Sequence, residues 1–391
     1  MSIFQSLAAA FKGAAVTPRA PLGHTFISPW AEAFDWRGAE KRGPLDYPEA
    51  IRAAYLRNPV AQRAVRLVAE GVGSAPLNAS DPALLALVCA TSAGQALLET
   101  LASQILLHGN AYVQVLRDGA GDVAELFALR PERVTIVPDA AGWPAAFRYK
   151  VGEKALLIDA LDEFGQPNLI HIRGFHPADD HYGAGCLEAA DEAVAIHNAA
   201  ARWNRSLLEN AARPSGALVY DPGEAGAAMT ADQFDRVKRE LLAAYAGQGN
   251  AGRPMLLEGG LKWQAMALSP ADMDFATLKA AAARDIALAF GVPPMLIGLP
   301  GDSTYANYRE ANRALWRLAV LPLANKILSA LAEGLAPWFP QAALAVNLDG
   351  VPALAEDRQS LWALVSAASF LSEEEKRAML GIVPLNAGGV A

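Results

Sequence analysis

The sequence predicts an α+β protein in which helices bracket a β-rich stretch and a small inserted α/β segment. Three observations carry this. Apolar residues recur at helical spacing from about 58 to 109 and from about 187 to 335, with proline and glycine at the breaks between them. From 111 to 173 the period drops to two, with turn residues between the runs. A second strand-bearing stretch, 213–268, lies between two long helical patterns rather than after them, which marks it as an insertion.

Residues 1–45 form a mixed arm, with Pro18, Pro21, Pro29 and Pro44 among the aromatics Phe26, Trp30, Phe34 and Trp36. Such arms drape over a neighbouring subunit or pack on their own domain. Asn58-Pro59 starts the first helix, since proline is tolerated in a first turn; Val60, Ala64, Leu67 and Val68 mark one face, and Gly71 and Gly73 end it. Asp81-Pro82 repeats that start, and a third helix spans about Ala93 to Leu107 with Gly109 as its stop. The apolar stretch Leu84–Leu107, interrupted by Gln95, Glu99 and Gln104, reads as a buried amphipathic helix. Strands follow at Tyr112–Leu116, Glu125–Ala128, Val134–Val137, Ala146–Val151 and Leu169–Ile172, an antiparallel meander packed on the preceding helices.

A long helix runs from about Leu187 to Asn210 and breaks at Pro214-Ser215-Gly216. In the insertion, Ala217–Tyr220, Met255–Leu257 and Lys262–Ala265 read as strands. Thr230 and Gln233 have capping-box spacing ahead of a helix carrying Phe234, Val237, Leu241 and Tyr245. A helix over about Asp272–Phe290 stops at Gly291-Val292-Pro293-Pro294, and 292–303 form a loop. Ser303 or Thr304 caps a long helix to about Leu335, which Pro322 should kink. A strand over Leu344–Leu348 and two short helices follow, the second opened by Ser372-Glu373-Glu374-Glu375.

The 391 residues leave room for two or three domains; 53% are apolar and 19% charged, which excludes a disordered chain. The formal net charge of −8 argues against gripping DNA by its phosphates, though not against DNA sliding past a weakly attractive or repulsive wall. Cys89 and Cys186 stand far apart with no CxxC, so neither a disulfide framework nor a structural zinc site is expected, as fits a reducing cytosol. The apolar start Met1–Val16 meets its first positive charge only at Lys12, the reverse of a secretory signal. No apolar run reaches the ~18 uninterrupted residues of a membrane helix.

The sequence contains no GxxxxGK[ST], GxSxG or HExxH, and no GxGxxG after a strand, so NTPases and hydrolases of those types are not indicated. His171, His176 and His181 lie within eleven residues beside Asp179 and Asp180, donors that suit zinc or iron, but at a spacing that matches none of the metal motifs. A strand end running into a polar loop accounts for the same residues. Arg309, Arg313 and Arg317 fall on one helical stripe, with Glu310 placed to pair with Arg313; the stripe is a subunit contact, a wall facing nucleic acid, or a solvated face. Arg236, Lys238 and Arg239 make a small basic patch on the inserted helix.

The order of several segments is more specific than any one of them. They are Asn58-Pro59-Val60, Ala75-Pro76-Leu77, Leu107-His108-Gly109-Asn110-Ala111-Tyr112, Leu129-Arg130-Pro131-Glu132-Arg133-Val134, His171-Ile172-Arg173, Tyr182-Gly183-Ala184-Gly185, Asn210 to Gly216 and Leu257 to Trp263. The most distinctive is Ile286 to Gly298, continuing to Ser303-Thr304-Tyr305-Ala306-Asn307. From about Asn58 to Leu380 the chain resembles the portal proteins of HK97-type tailed phages. The resemblance implies a non-enzymatic, cofactor-free, ring-forming subunit, commonly one of twelve. Its fold is expected to have a mixed α/β wing, two stem helices, an inserted α/β clip and a long kinked wing helix.

On that plan 1–180 are wing, 181–212 the first stem helix, 213–270 clip, 271–291 the second stem helix and 292–303 the tunnel loop. Residues 304–350 form the kinked helix returning to the wing, and 351–391 a short crown. The tunnel loop and its flank would be Met295, Ile297, Gly298, Leu299, Pro300, Gly301, Asp302, Ser303, Thr304 and Tyr305, with Asp302 repelling phosphate and limiting sticking. Arg236, Lys238 and Arg239 would dock a partner at the clip, and Arg309, Arg313 and Arg317 would touch the next subunit.

The implied partners are double-stranded DNA, the major capsid protein, the large terminase subunit and the head–tail adaptor, with no membrane. The implied location is the portal vertex of a virion or virus-like particle, after assembly in the bacterial cytoplasm. The compact length points to a domesticated particle such as a gene transfer agent. The alternatives are a metal-dependent hydrolase using His171, His176, Asp179 and His181, and a head–tail adaptor, a class of much shorter chains.

Overall fold

The computed structural model describes residues 47–209, 216–220, 230–245, 261–265, 275–299 and 305–381, all within one compact unit, 46–391. Helix α1 (Tyr47–Ile51) passes through a π-turn (Arg52–Leu56) to α2 (Pro59–Gly73). The helix starts where Asn58-Pro59 indicated, and Asn58 caps it, its side-chain oxygen accepting the N–H groups of Val60 (3.0 Å) and Ala61 (3.1 Å). Ala61, Ala64, Val65, Val68, Ala69 and Val72 give α2 a small-residue face buried in the main core.

Asp81 caps α3 (Pro82–Val88), which follows β1 (Leu77–Ala79). The apolar stretch 84–107 holds two helices, as the separate starts at Asp81-Pro82 and about Ala93 indicated, but the second begins at Leu97. After α3 the chain turns through a hairpin, β2 (Thr91–Ser92) and β3 (Gln95–Ala96), with Ala93 at φ 52° and Gly94 at φ 79°. Helix α4 (Leu97–His108) begins only then, and Gly109 ends it in the left-handed region.

The period-two stretch forms two antiparallel three-stranded sheets rather than one meander. Strands β4 (Asn110–Arg117), β5 (Val123–Leu129) and β9 (Leu169–Arg173) make the first, ordered β5-β4-β9; β6 (Val134–Pro138), β7 (Pro144–Val151) and β8 (Lys154–Asp159) make the second. Tyr112, Leu129 and Leu169 from the first meet Val134, Ile136, Phe147 and Ile158 from the second in a separate small core. The other face of the first sheet packs on helices through Val113, Val115, Leu126, Ile170 and Ile172.

The long helix α5 (Cys186–Glu209) packs against α7 (Phe275–Ala289), and the two bracket the insertion. Within the insertion β10 (Gly216–Tyr220) pairs antiparallel with β11 (Leu261–Ala265), and α6 (Ala231–Tyr245) opens with the expected reciprocal Thr230–Gln233 bonds. The expected strand Met255–Leu257 lies outside the described residues.

After α7, helix α8 (Tyr305–Leu315) runs through a π-turn (Trp316–Val320) into α9 (Leu321–Leu335). Pro322 explains the wide turn: its ring crowds the carbonyl four residues back and offers no donor, and loosening the turn just before it lets the helix continue. Residues Ala306–Leu335 are long and apolar enough by composition to cross a membrane. Ala324, Ile327, Leu328, Leu331 and Leu335 nonetheless line the protein core, against β9 and α4. Strand β12 (Leu344–Val346) returns to pair with β1.

Helices α10 (Ala355–Ala367) and α11 (Glu373–Leu380) close the described chain, α11 with the capping box read from its sequence. Buried Arg358 ties this end together, donating to Asp349 Oδ1 (2.6 Å) and the Leu380 carbonyl (2.8 Å), while the Trp362 indole donates to the same Asp349 oxygen at 3.0 Å. Those bonds hold the Asp349 carboxyl below the usual carboxylate range.

Candidate functional site

The loop after α7 is anchored at its start and reaches open space at Gly298. Phe290 and Val292 are buried, and the Val292 N–H bonds the Ala287 carbonyl at 2.9 Å, which turns the chain at the helix end. A 3₁₀ turn, Pro294–Ile297, follows. Leu296 and Ile297 rest on the main core, Met295 and Leu299 are half-buried, and Gly298 is exposed with open space around it. Of the residues expected to face a tunnel, Ile297 thus has its side chain drawn inward, and Gly298 is the first that is fully open. Pro300, Gly301, Asp302, Ser303 and Thr304 lie outside the described residues; Tyr305 is the first residue of α8.

The arginine stripe on α8 meets an acidic partner within the same chain. Arg309 Nη1 lies 2.6 Å from Glu356 Oε1, and Arg313 Nη2 lies 3.0 Å from Glu356 Oε2. Arg313 also reaches Asp357 at 3.5 Å and, as its spacing predicts, Glu310 at 3.0 Å. Helical spacing set both arginines on one side of α8, and the acidic first turn of α10 faces that side, where the helix dipole favours carboxylates. Arg317, one turn on, is exposed on the π-turn. Arg236, Lys238 and Arg239 are exposed on α6, with Arg239 Nε donating to the Asp235 carbonyl at 3.3 Å.

The histidine cluster does not assemble as a ligand set; among the described residues no three His, Cys, Asp or Glu side chains converge so as to hold a metal. His176 Nδ1 accepts the Ala178 N–H (3.0 Å), and Asp179 Oδ1 accepts those of His181 (2.7 Å) and Tyr182 (2.9 Å), which also depresses the Asp179 carboxyl. His171 faces inward. Its ring stacks on Tyr112 with centroids 4.4 Å apart, and its Nε2 lies 3.0 Å from Asn110 Oδ1. Burial, with Arg173, His108 and His181 nearby, pushes the His171 imidazole down to about 4. The hydrolase reading loses its ligands on this geometry.

What that cluster does instead is visible around Asn110, which is 1% exposed. Its amide donates to the carbonyls of His108 and Gly183 (both 3.1 Å), and its oxygen accepts the Gly183 N–H at 2.8 Å besides the His171 ring. Three segments therefore cross here: the α4–β4 junction, the end of β9, and the approach to α5. The crossing is so close that a β-carbon on Gly109 or Gly183 would run into the opposing backbone, and one on Gly174 would lie 2.7 Å from the Ala184 carbonyl.

A second polar network fixes the side of α5. Asn58 Nδ2 lies 3.1 Å from His197 Nδ1 and 3.0 Å from Asn198 Oδ1, and Asn198 donates to the Ala53 carbonyl at 2.9 Å. Burial lowers the His197 imidazole, with Lys279 adding to the effect. Sequence reasoning quoted Asn58, Asn110, His171 and Gly183 as separate motifs but did not see that they hold α5 at two points.

Comparison with known proteins agrees with this architecture. A family model described as "Phage portal protein" matches residues 59–381. A protein of Rickettsia bellii (strain RML369-C) is 36% identical over 361 residues, covering 86% of this chain and 89% of its own. The portal protein of Enterobacteria phage HK97 is 25% identical over 300 residues, covering 75% of this chain and 67% of its own. Among solved structures, a chain from the neck of a native gene transfer agent particle, computed with C12 symmetry, matches with a TM-score of 0.66 and 47% identity over 88% of this chain and 95% of that one.

The fold and its neighbours thus define a structural assembly subunit. Within that class, the chain belongs to the phage portal protein family and is of the HK97 type.

Proposed function

We propose that this chain forms the ring at one vertex of a gene transfer agent or phage particle, in twelve copies, and that double-stranded DNA is packaged and later released through it. The observation that carries the reading is the 47% identity, over nearly all of both chains, with a chain from a gene transfer agent neck computed with C12 symmetry. In this reading α5 and α7 are the stem helices beside the channel. The insertion 213–270, with Arg236, Lys238 and Arg239, is the clip that docks the large terminase subunit and then the head–tail adaptor, and the wing seats in the major capsid protein.

The loop beyond α7 suits a tunnel lining, since Leu296 and Ile297 anchor its base and Gly298 stands exposed. Small, mostly uncharged tip residues approach DNA without a clamp, as a sliding contact requires. Arg309 and Arg313 hold α10 within the subunit, which leaves Arg317 as the member of the stripe that touches the next copy. Deleting Gly298–Asp302 tests the loop: particles should assemble but lack DNA when scored by nuclease-protected DNA content. Full heads would refute the tunnel assignment.

A further inference from the structure

Three tight turns in the wing share one construction. Asp118 accepts the N–H groups of Ala120 and Asp122 on one carboxylate oxygen (2.8 and 3.1 Å), Asp139 those of Ala141 and Trp143 (2.8 and 2.9 Å), and Asp162 those of Phe164 and Gln166 (both 2.8 Å). Each has a left-handed glycine in its fourth position: Gly121, Gly142 and Gly165. The backbone of such a turn is fixed before any partner arrives, which lowers the ordering cost of a contact.

The first turn is covered from within the chain. Trp338, just beyond α9, donates its indole N–H to the Gly121 carbonyl at 3.0 Å and lies under the Arg117 guanidinium at 5.1 Å. The other two carry large apolar groups in the open: Trp143 is 73% exposed, Phe164 85% and Leu161 56%. They also stand side by side. Ala146 pairs with Asp159, and the Ala160 N–H bonds the Ala145 carbonyl at 2.9 Å, so the β6–β7 turn and the turn after β8 leave the same end of one sheet. Arg117 fastens the last of the three turns by its ion pair with Asp162. The sheet therefore ends in two braced turns, each carrying an exposed aromatic ring, which together form a knob.

The opposite end of the same sheet borders a groove. Tyr149, six residues along β7 from Trp143 or roughly 20 Å, stands in its wall with Tyr47, Tyr55 and Phe127. The cavity is about 770 Å³, within the size range of pockets that enclose drug-sized ligands. It is large enough for more than one aromatic side chain. Arg130 and Arg133 line it, together with Glu99 and Glu132, the latter 3.8 Å from Arg130. The knob carries exposed Asp139, Asp159 and Glu163, placed to meet Arg133, since Arg130 is already paired with Glu132.

We propose that Trp143 and Phe164 of one subunit seat in the groove beneath Tyr149 of the next copy. A knob and a socket at opposite ends of one sheet make a head-to-tail contact, the kind that closes into a ring when repeated. A matched pair on one chain is what distinguishes this occupant from a foreign protein. The proposal rests on the ring reading above.

The test places p-benzoylphenylalanine at position 143 of the full chain, irradiates purified particles, and maps the crosslinks by mass spectrometry. The expected product is a covalent dimer of this chain joined from 143 to peptides within 92–107 or 127–133. Crosslinks to a shell protein or to residues 1–46, or none at all in intact rings, would overturn the contact. A chain missing from the particles would overturn the ring reading itself, and this contact with it. In parallel, Trp143→Ser combined with Phe164→Ser should cut the particle-bound copies by roughly tenfold or more, as loss of two buried aromatic anchors does. Incorporation at the unmodified level would refute the proposal.

Discussion

Acid should loosen the junction that holds α5, and His171 sets the amount. The imidazole lies at about 4 in the folded chain against an ordinary value of 6.5, because burial and the neighbouring Arg173 disfavour its charge. The unfolded chain therefore takes up the proton first. The stability that neutral His171 contributes is complete above the unfolded value and lost as pH falls through about 4, below which both states are charged. The full shift is worth about 3 kcal/mol, of which about 2 kcal/mol is gone by pH 5. Urea unfolding of the full chain at pH 7 and pH 5, beside His171→Gln, measures it. Gln can still donate to Asn110 but does not titrate, so the unmodified chain should lose about 2 kcal/mol more than the variant over that interval. Equal losses in both proteins would refute this account of the junction.

The same structure fixes three other outcomes. Gly183→Ala forces a methyl into the Gly109 and Gly174 backbones and should destabilise the fold by about 3 kcal/mol, read as a lowered urea midpoint with unchanged slope. Asn58→Ala removes the α2 cap and the bonds to His197 and Asn198, a loss of about 2 kcal/mol in the same assay. A double-mutant cycle between Arg313→Ala and Glu356→Ala should give a coupling of about 1 kcal/mol that shrinks in high salt, since Glu356 stands largely in solvent. A coupling near zero would mean that α8 and α10 are held by their apolar contacts alone.

Local chemistry was legible in the sequence wherever a residue acts on its own neighbours. Asn58, Asp81, Thr230 and Ser372 cap the helices they precede, and Gly109 ends α4, because each needs only the next few backbone groups. Strand β8 escaped because it is an edge strand: Leu156 and Leu157 are both exposed, so no alternation marks it. The hairpin Thr91–Ala96 between α3 and α4 escaped, and the expected start of α4 fell early, at about Ala93 rather than Leu97, because alanine-rich composition continues through it and the turn rests on Ala93, a residue that seldom takes a positive φ.

The residues around the candidate site were visible only as fragments. Asn110 meets His171 and Gly183 across 61 and 73 positions, and Arg313 meets Glu356 across 43, separations at which no spacing rule operates. The three histidines drew attention as possible ligands because proximity in sequence was all that could be seen. The fold sends His171 into the sheet interface and leaves His176 and His181 on the polar loop beyond.

Electron cryo-microscopy of purified particles carrying a tag on this chain tests the central claim most directly. The account predicts one twelve-fold ring of the tagged chain at a single vertex, coaxial with the tail. Tag spread over the whole shell, or particles without it, would contradict the portal assignment.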